Sequence, residues 1–309
     1  MFSKIRLSCD ESVTGGRWTF LKDASCINTS PAKGSTSTLM RTTIRTTFGF
    51  LAGAFLTATA GAQSISIKGS DTLGAKLVPQ LAESFKAKHA GVKFEIAAEG
   101  SATAFPALAN GTAQIGMSSR KAKPEEITDA RAKGVTLTEV EVCHDMLVVI
   151  THKSNPVKAL TKDQVAKIFT GQVKDWSEVG GTPGPISIYT RNTSSGTYKD
   201  WQTLAMGGRD YPSSSQKMAG TEQIAQEVAK NKNGIGYVGL AFSKASGVTD
   251  VKIDGVEPTA ANAKKYVYSR ACYFYVPESA DALAKEFVAF ATGTEGQEVA
   301  KKIGFVPNH

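Results

Sequence analysis

One order of elements recurs four times along this chain: an apolar strand, a short loop of small hydroxyl residues, and a helical stretch. The loops cover residues 69–73, 99–103, 117–120 and 191–198. The N-terminus of a helix carries unpaired N–H groups and a partial positive charge, so loops of this kind favour bound anions. Because the pattern repeats, the sequence predicts a strand-and-helix fold with an oxyanion site.

The loop at residues 191–198 reads Arg-Asn-Thr-Ser-Ser-Gly-Thr-Tyr and gives the strongest anion signal. Arg191 adds a planar fork of donors that matches phosphate-like oxygens. The alternative is an ordinary helix N-cap at Ser194 or Ser195, with Arg191 in solvent. None of the four loops has the Gly-x-x-x-x-Gly-Lys-Ser/Thr or Gly-x-Gly-x-x-Gly pattern, so a nucleotide is not the first candidate ligand.

Residues 40–62 have the layout of a secretory signal peptide, with a basic start, an apolar core and the small residues Ala-Gly-Ala at the end. The apolar core, residues 48–60, is short for a bilayer span, which argues against a retained anchor. Because this signal begins at an internal Met, residues 1–39 are predicted to be a non-native upstream extension. No Cys follows the cleavage site, so we expect a soluble protein of the periplasm.

The predicted mature chain starts at Gln63 and is long enough for two lobes or one large domain. The sequence has 36 basic and 28 acidic residues, of which seven and three precede Gln63. The mature net charge is therefore +4, which fits an anionic ligand. The excess is too small to indicate nucleic acid, for which clustered basic residues are expected.

Two of the four cysteines fall in the mature chain, Cys143 and Cys272. Both precede apolar strands in similar settings, which predicts that the two strands are neighbours. Paired thiols in an exported protein can form a disulfide. The sequence leaves this bond open, because the Cα separation that decides it cannot be read from spacing.

Strands and helices alternate along the mature chain, which predicts an α/β fold. The predicted helices are residues 73–89, 102–110, 161–170, 197–204, 222–229, 280–292 and 296–302. The predicted strands are residues 64–68, 93–97, 146–151, 186–190, 235–238 and 271–276. Residues 207–215 are predicted to be a surface loop. The aromatic side chains set in apolar runs are predicted to be core residues: Trp176, Trp201, Tyr273, Phe274 and Tyr275.

The order of these motifs resembles the periplasmic phosphate-binding proteins of phosphate-uptake ABC transporters, members of the type 2 periplasmic-binding-protein superfamily. Further matching motifs are Asp145-Met-Leu-Val-Val, Ile168-Phe-Thr-Gly with Asp175-Trp-Ser-Glu-Val, Gly234-Ile-Gly-Tyr-Val-Gly, and Ser269-Arg270 before an aromatic strand. The resemblance covers nearly all of the mature chain. It implies a two-lobed α/β fold with a ligand cleft between the lobes, in which residues 63–145 and 273–309 form lobe I and residues 146–272 form lobe II.

The resemblance also implies that both lobes supply phosphate ligands. The predicted ligand-binding residues are Ser70, Asp71, Thr72, Leu73, Ser101, Ser119, Arg120, Arg191, Ser195, Gly196 and Thr197. A dehydrated dianion needs a donor at nearly every oxygen, because a buried unpaired charge is costly. Hydroxyls, helix-start N–H groups and the guanidinium groups of Arg120 and Arg191 are donors of the required kind.

Residue 119 departs from the better-known family members, which have an Asp there to accept the proton of hydrogen phosphate and to repel sulfate. Ser119 both donates and accepts, so it discriminates less against sulfate. Asp71 is a candidate for the missing acceptor, and its alternative role is a helix N-cap. Arg120 is either a ligand or inter-lobe residue, or an exposed guanidinium ahead of a helix.

Catalysis is the competing class of function. Cys143, His144 and Asp145 have the residue types of a catalytic triad, but consecutive strand residues point to alternate faces. The four His show no metal-ligand spacing. We therefore predict a non-enzymatic monomer, without cofactor, metal or nucleic acid, that captures inorganic phosphate and delivers it to an ABC permease. Another oxyanion or an organic phosphate is the alternative ligand, and a secreted phosphatase is the alternative class.

Overall fold

The structure, a computed structural model, describes residues 63–308. The predicted upstream extension, residues 1–39, and the predicted signal peptide, residues 40–62, lie outside the described residues. None of the helices in the described part combines the length and the hydrophobicity that a membrane crossing requires.

Strands and helices alternate as predicted. The strands are β1 (Ser64–Gly69), β2 (Lys93–Ala97), β3 (Ile115–Ser118), β4 (Leu137–His152), β5 (Ala159–Leu160), β6 (Ser187–Arg191), β7 (Gln216–Met218), β8 (Gly234–Gly239), β9 (Val248–Asp250), β10 (Lys252–Ile253) and β11 (Ser269–Pro277). The α-helices are α1 (Val78–Lys86), α2 (Ala104–Ala109), α3 (Pro124–Ala132), α4 (Lys162–Phe169), α5 (Gly196–Leu204), α6 (Thr221–Lys230), α7 (Ala282–Thr292) and α8 (Thr294–Lys302). A π-helical turn, Leu73–Leu77, leads into α1, and a 3-10 turn, Ser101–Thr103, leads into α2.

Nine strands form one sheet in the order β2-β1-β3-β11-β4-β8-β6-β7, with β9 paired to β4. We call β1, β2 and β3, which run parallel, the first half of the sheet. The second half contains β6, β7 and β8, which also run parallel, and β9. The antiparallel strands β4 and β11 join the two halves. The result is the two-lobed α/β fold that the sequence predicts, in which helix starts follow the carboxyl ends of parallel strands.

Each half has its own apolar core. Leu77 and Phe85 of the first half pack with Phe274 and Phe287 in one cluster of buried residues. A second cluster surrounds Trp201, whose ring stacks on Tyr237 at 4.3 Å between centroids. The five aromatic residues predicted to be core are all buried: Trp176, Trp201, Tyr273, Phe274 and Tyr275.

The largest difference from the predicted elements is the length of β4. The prediction started this strand at residue 146, whereas it begins at Leu137. Three of the five residues 137–141, Leu-Thr-Glu-Val-Glu, are polar, and Glu139 and Glu141 are exposed. An antiparallel strand can keep one face in solvent, so the start of β4 lacks a continuous apolar run. Such a run was the pattern by which residues 146–151 were predicted to be a strand. The short strands β5, β7, β9 and β10 were not predicted, while residues 207–215 form a loop as predicted.

Cys143 and Cys272 lie directly opposite each other on β4 and β11, which confirms that their strands are neighbours. Both thiols are buried and free, so the disulfide left open by the sequence is not formed in this structure. Burial raises the pKa of the Cys143 thiol well above its ordinary value. Because the thiolate is the reactive form, this burial disfavours oxidation.

Candidate anion-binding site

Arg191 ends β6 and is buried, with 1% of its surface exposed. Its Nη1 donates to Asp71 Oδ2 at 2.9 Å and to Thr221 Oγ1 at 2.7 Å, and its Nη2 donates to the carbonyl oxygen of Ala219 at 2.7 Å. The alternative of a solvent-exposed Arg191 is therefore wrong. The guanidinium instead joins β6 to the loop that follows β1.

Asp71 is an acceptor for the second half of the sheet rather than a helix N-cap. Its Oδ2 accepts from Arg191 and from the backbone N–H of Thr221 at 2.8 Å. The N–H of Leu73 lies 3.4 Å from Ser70 Oγ. The N-cap alternative for Asp71 is wrong, because its carboxylate reaches across to α6 instead of folding back on its own helix. Ser70 and Leu73 serve the local turn in this structure.

Thr72 and Thr197 bring their hydroxyls together from opposite halves, with 2.9 Å between the two Oγ1 atoms. Thr72 follows β1 at the start of a helix, and Thr197 lies in the first turn of α5. Both residues are buried. The structure therefore places two predicted ligand residues, 125 positions apart in the chain, in direct contact.

Ser101 and Ser119 form a second hydroxyl pair against Gly196. Ser101 Oγ lies 3.2 Å from Ser119 Oγ and accepts from the Ser119 N–H at 3.0 Å. A Cβ added at Gly196 would lie 2.3 Å from Ser101 Oγ and 2.8 Å from Ser119 Oγ. Only glycine allows this close approach of the α5 start to the first half of the sheet.

Ser195 is the N-cap of α5, because its Oγ accepts from the N–H of Tyr198 at 3.2 Å. This part of the capping alternative is confirmed. The neighbouring Ser194 also contacts the first half, since its carbonyl oxygen accepts from the Ala102 N–H at 3.1 Å and its Oγ donates to the Glu99 carbonyl oxygen at 3.0 Å. We call this contact region between the helix starts of the two halves the cleft.

Arg120 is neither exposed nor free. It is 7% exposed, and its Nη1 and Nη2 donate to the two carboxylate oxygens of Glu126 at 2.8 and 2.6 Å. Its guanidinium also lies over the Phe105 ring, 5.5 Å from the centroid. The exposed alternative is wrong, and the bidentate pair with Glu126 argues against a direct ligand role.

Arg270, Asp145 and Asp200 form a buried charge group at the cleft that sequence reasoning did not identify. Arg270 Nη2 donates to Asp145 Oδ2 at 2.9 Å, and Nη1 lies 3.2 Å from Asp200 Oδ2. The sequence showed Ser269-Arg270 only as a motif. The pairing depends on the register of β4 with β11, which places Arg270 opposite Asp145 and which no local pattern reveals.

Burial sets the electrostatics of the cleft. Burial lowers the pKa of Arg191, and the nearby charge of Arg270 lowers this pKa further. The charge of Asp71 offsets part of the effect. Burial raises the pKa of Asp145 and of Asp200, although Arg270 acts in the opposite direction on both. Two like-charged guanidinium groups therefore lie close enough to influence each other in a buried region.

One donor of each guanidinium is unsatisfied. The Nε atoms of Arg191 and Arg270 are buried and have no hydrogen-bond partner among the described residues. A buried donor without a partner costs free energy, and an anion oxygen would satisfy it. Within the described part of the chain, His, Cys, Asp and Glu side chains form no group of three that could hold a metal ion.

A sequence model described as a PBP superfamily domain matches residues 56–295. The chain belongs to the PBP superfamily. Its relatives within this superfamily include the phosphate-binding protein PstS of Pseudomonas aeruginosa, which is 35% identical over 268 residues, covering 79% of this chain and 83% of the relative. PstS of Bacillus subtilis is 30% identical over 247 residues, with 79% and 80% covered.

A solved structure of this PBP superfamily is also similar to the chain. It comes from Clostridium perfringens, is described as a putative phosphate ABC transporter substrate-binding protein, and contains bound phosphate. It is 35% identical, covers 80% of this chain and 100% of its own, and superimposes with a TM-score of 0.74. The resemblance found in the sequence motifs is thereby confirmed at the level of family and fold.

Proposed function

We propose that this chain is an exported solute-binding protein that captures inorganic phosphate in the cleft and delivers it to an ABC permease. Relatives that are named phosphate-binding proteins, and a similar structure with bound phosphate, support this proposal. The proposed lobes are residues 63–145 with 273–309 and residues 146–272. Their limits fall in β4 and β11, the two strands that join the halves of the sheet.

The observation that carries the proposal is the buried guanidinium of Arg191, at the end of β6 and paired with Asp71 of the first half. Its Nε–H has no partner among the described residues, while Nη1 and Nη2 are held by Asp71, Thr221 and Ala219. Donors that are already held in place bind an oxyanion without reorganising. Arg191 thus offers one charged donor whose direction is already set.

Neutral donors complete the proposed set. The hydroxyls of Thr72 and Thr197, the hydroxyls of Ser101 and Ser119, and the first N–H groups of α5 all converge on the cleft. Formal charges nearly cancel there, because Asp71, Asp145 and Asp200 accompany Arg191 and Arg270. The anion is therefore held by hydrogen-bond dipoles rather than by a net positive field.

In this proposal, hydrogen-bond acceptors in the cleft select phosphate over sulfate. Asp71 uses Oδ2 for Arg191 and Thr221, and its Oδ1 accepts no hydrogen bond from the described residues. A free carboxylate oxygen accepts the proton of hydrogen phosphate and repels sulfate, which has no proton to donate. Ser119 supplies a second, weaker acceptor.

We propose that the protein performs no chemistry on the ligand and acts as a monomer in the periplasm. The names of the relatives describe binding, and Cys143, His144 and Asp145 do not act together. Asp145 pairs with Arg270, while His144 Nδ1 lies 3.3 Å from Asn308 Oδ1.

Calorimetry on the chain starting at Gln63 tests the proposal, with phosphate, sulfate, arsenate and molybdate as ligands between pH 5 and 8. We expect one phosphate per chain and markedly weaker sulfate binding. Equal binding of phosphate and sulfate would contradict the phosphate claim, and binding of none of the four would contradict the anion-binding class. Release of nitrophenol from nitrophenyl phosphate would favour the phosphatase alternative.

A further inference from the structure

We propose that Arg270 is a positioning residue that fixes the hydroxyls of Thr72 and Thr197 as donors towards bound phosphate. The inference rests on the proposed function and adds to it a residue outside the predicted ligand set. It also connects the phosphate site to β4 and β11, the strands that join the two halves of the sheet.

Arg270 lies where the elements of the cleft meet. Its side chain is 5% exposed. Its Nη2 lies 2.8 Å from Thr197 Oγ1, 3.4 Å from Thr72 Oγ1 and 2.9 Å from Asp145 Oδ2. One guanidinium nitrogen therefore contacts a helix start of the first half, a helix start of the second half, and a joining strand.

The chemistry of a hydroxyl explains what this contact does. A threonine hydroxyl has one proton to donate and two lone pairs to accept with. Nη2 has two N–H bonds, of which one serves Asp145 and the other is shared by Thr197 and Thr72. When a hydroxyl accepts from Arg270, its own proton must point to another acceptor. Because the two Oγ1 atoms lie 2.9 Å apart, one threonine can donate its proton to the other, and the second hydroxyl proton is left for a phosphate oxygen.

Two carboxylates hold Arg270 in this orientation. Asp145 is fully buried, pairs with Arg270 across β4 and β11, and also accepts from the Leu240 N–H at 3.2 Å. Asp200 lies on α5, one turn after Thr197, and reaches Nη1 at 3.2 Å. Arginine is suited to this task because its planar fork serves several acceptors at fixed angles. A lysine would bring one charge without that geometry.

A double-mutant cycle of phosphate affinity tests the inference. The variants are Arg270→Met, Arg270→Lys, Thr197→Val and the combination of Arg270→Met with Thr197→Val, measured by calorimetry. We expect Arg270→Met to weaken phosphate binding about tenfold or more, and Arg270→Lys to restore part of the loss. In the Thr197→Val background, the same Arg270→Met change should have a clearly smaller effect, because the hydroxyl that it orients is gone.

Two controls separate this role from a structural one. Arg209→Met removes an exposed arginine and should leave phosphate affinity unchanged. Arg270→Met leaves Asp145 and Asp200 without their cation, so folding is checked by urea unfolding. If that variant does not fold, the cycle is repeated with Asp145→Asn and Arg270→Gln together, which removes one carboxylate charge with the cation.

The outcomes are distinguishable. Full phosphate affinity in Arg270→Met, or losses that simply multiply in the combined variant, would overturn the positioning role while the proposed function stands. Absence of phosphate binding by the unchanged protein would overturn the proposed function, and the positioning role with it.

Discussion

Arg191 Nη1 and Asp71 Oδ2 lie 2.9 Å apart and form an ion pair between the second and the first half of the sheet. Both partners come from loops that the sequence singled out, but neither takes the role of a free ligand or a simple cap. Arg191 is held in place by Asp71 and Thr221, which leaves its Nε–H as the donor that a ligand can use. This pair also holds the two halves together.

Replacing Arg191 by Ala should weaken phosphate binding by about 2 kcal/mol, or roughly 30-fold, because a charged donor is lost from a buried site. Calorimetry measures this change directly. Arg209→Ala, at an exposed arginine of the same half, is the matched control and should bind phosphate normally. Unchanged affinity in Arg191→Ala would show that this guanidinium does not contact the ligand.

Replacing Gly196 by Ala should impair phosphate binding while leaving the fold intact. The added Cβ would meet Ser101 Oγ at 2.3 Å, so the two halves could not approach as closely as they do here. The helix itself accepts Ala at its first position without strain. Gly184→Ala is the control, since the nearest atom to its Cβ would be Asn233 Oδ1 at 3.2 Å.

Urea unfolding and phosphate calorimetry together test the prediction for Gly196→Ala. We expect Gly196→Ala to unfold at nearly the same urea concentration as the unchanged protein and to bind phosphate at least about tenfold more weakly. Normal phosphate affinity would mean that the close contact of Gly196 with Ser101 is not needed for binding.

Asp200→Asn should change the pH dependence of stability. Burial raises the pKa of Asp200 above 3.8, so its carboxyl holds a proton more tightly in the folded than in the unfolded chain. Its stabilising contribution is complete below the unfolded pKa and is lost as pH rises through the folded pKa. The Asn variant lacks this loss, so relative to the unchanged protein it should gain stability between about pH 4 and pH 7.

The free energy of unfolding of both proteins in urea, at each pH, measures this difference. A variant that loses relative stability on going from about pH 4 to pH 7 would contradict the raised pKa. It would show that the charge of Arg270, rather than burial, governs this carboxyl.

The thiols of Cys143 and Cys272 should react slowly with a thiol reagent in the folded chain. Both are buried, and the pKa of Cys143 is raised, so little thiolate is present near neutral pH. In the reduced chain from Gln63, we expect two thiols to be titrated after unfolding in denaturant and almost none before it. Rapid reaction of two thiols in the native protein would contradict the buried arrangement.

The four loops were predictable because each follows a strand and opens a helix. In an α/β sheet, such loops gather at the carboxyl ends of parallel strands, so Thr72 and Thr197 could be expected to meet without knowledge of the register. The same reasoning identified Arg191 and Ser101. Local patterns thus indicated these four residues of the cleft, but not the charge group of Arg270.

The roles of Asp71, Arg120 and Arg270 were harder to predict because they depend on partners distant in the sequence or on a choice between partners. Asp71 prefers Arg191 and Thr221 to its own helix, and Arg270 meets Asp145 only through the register of β4 with β11. For Arg120, the sequence does contain a local signal for its partner. Glu126 lies at the third position of α3 in a capping box, where its carboxylate is fixed within reach of Arg120.

A crystal structure of the chain from Gln63, grown with phosphate, would show directly whether both halves of the sheet hold the anion. We expect one phosphate in the cleft, with hydrogen bonds to Thr72 and Ser101 from the first half and to Arg191 and Thr197 from the second. A phosphate bound outside this region, or contacted by only one half of the sheet, would contradict it.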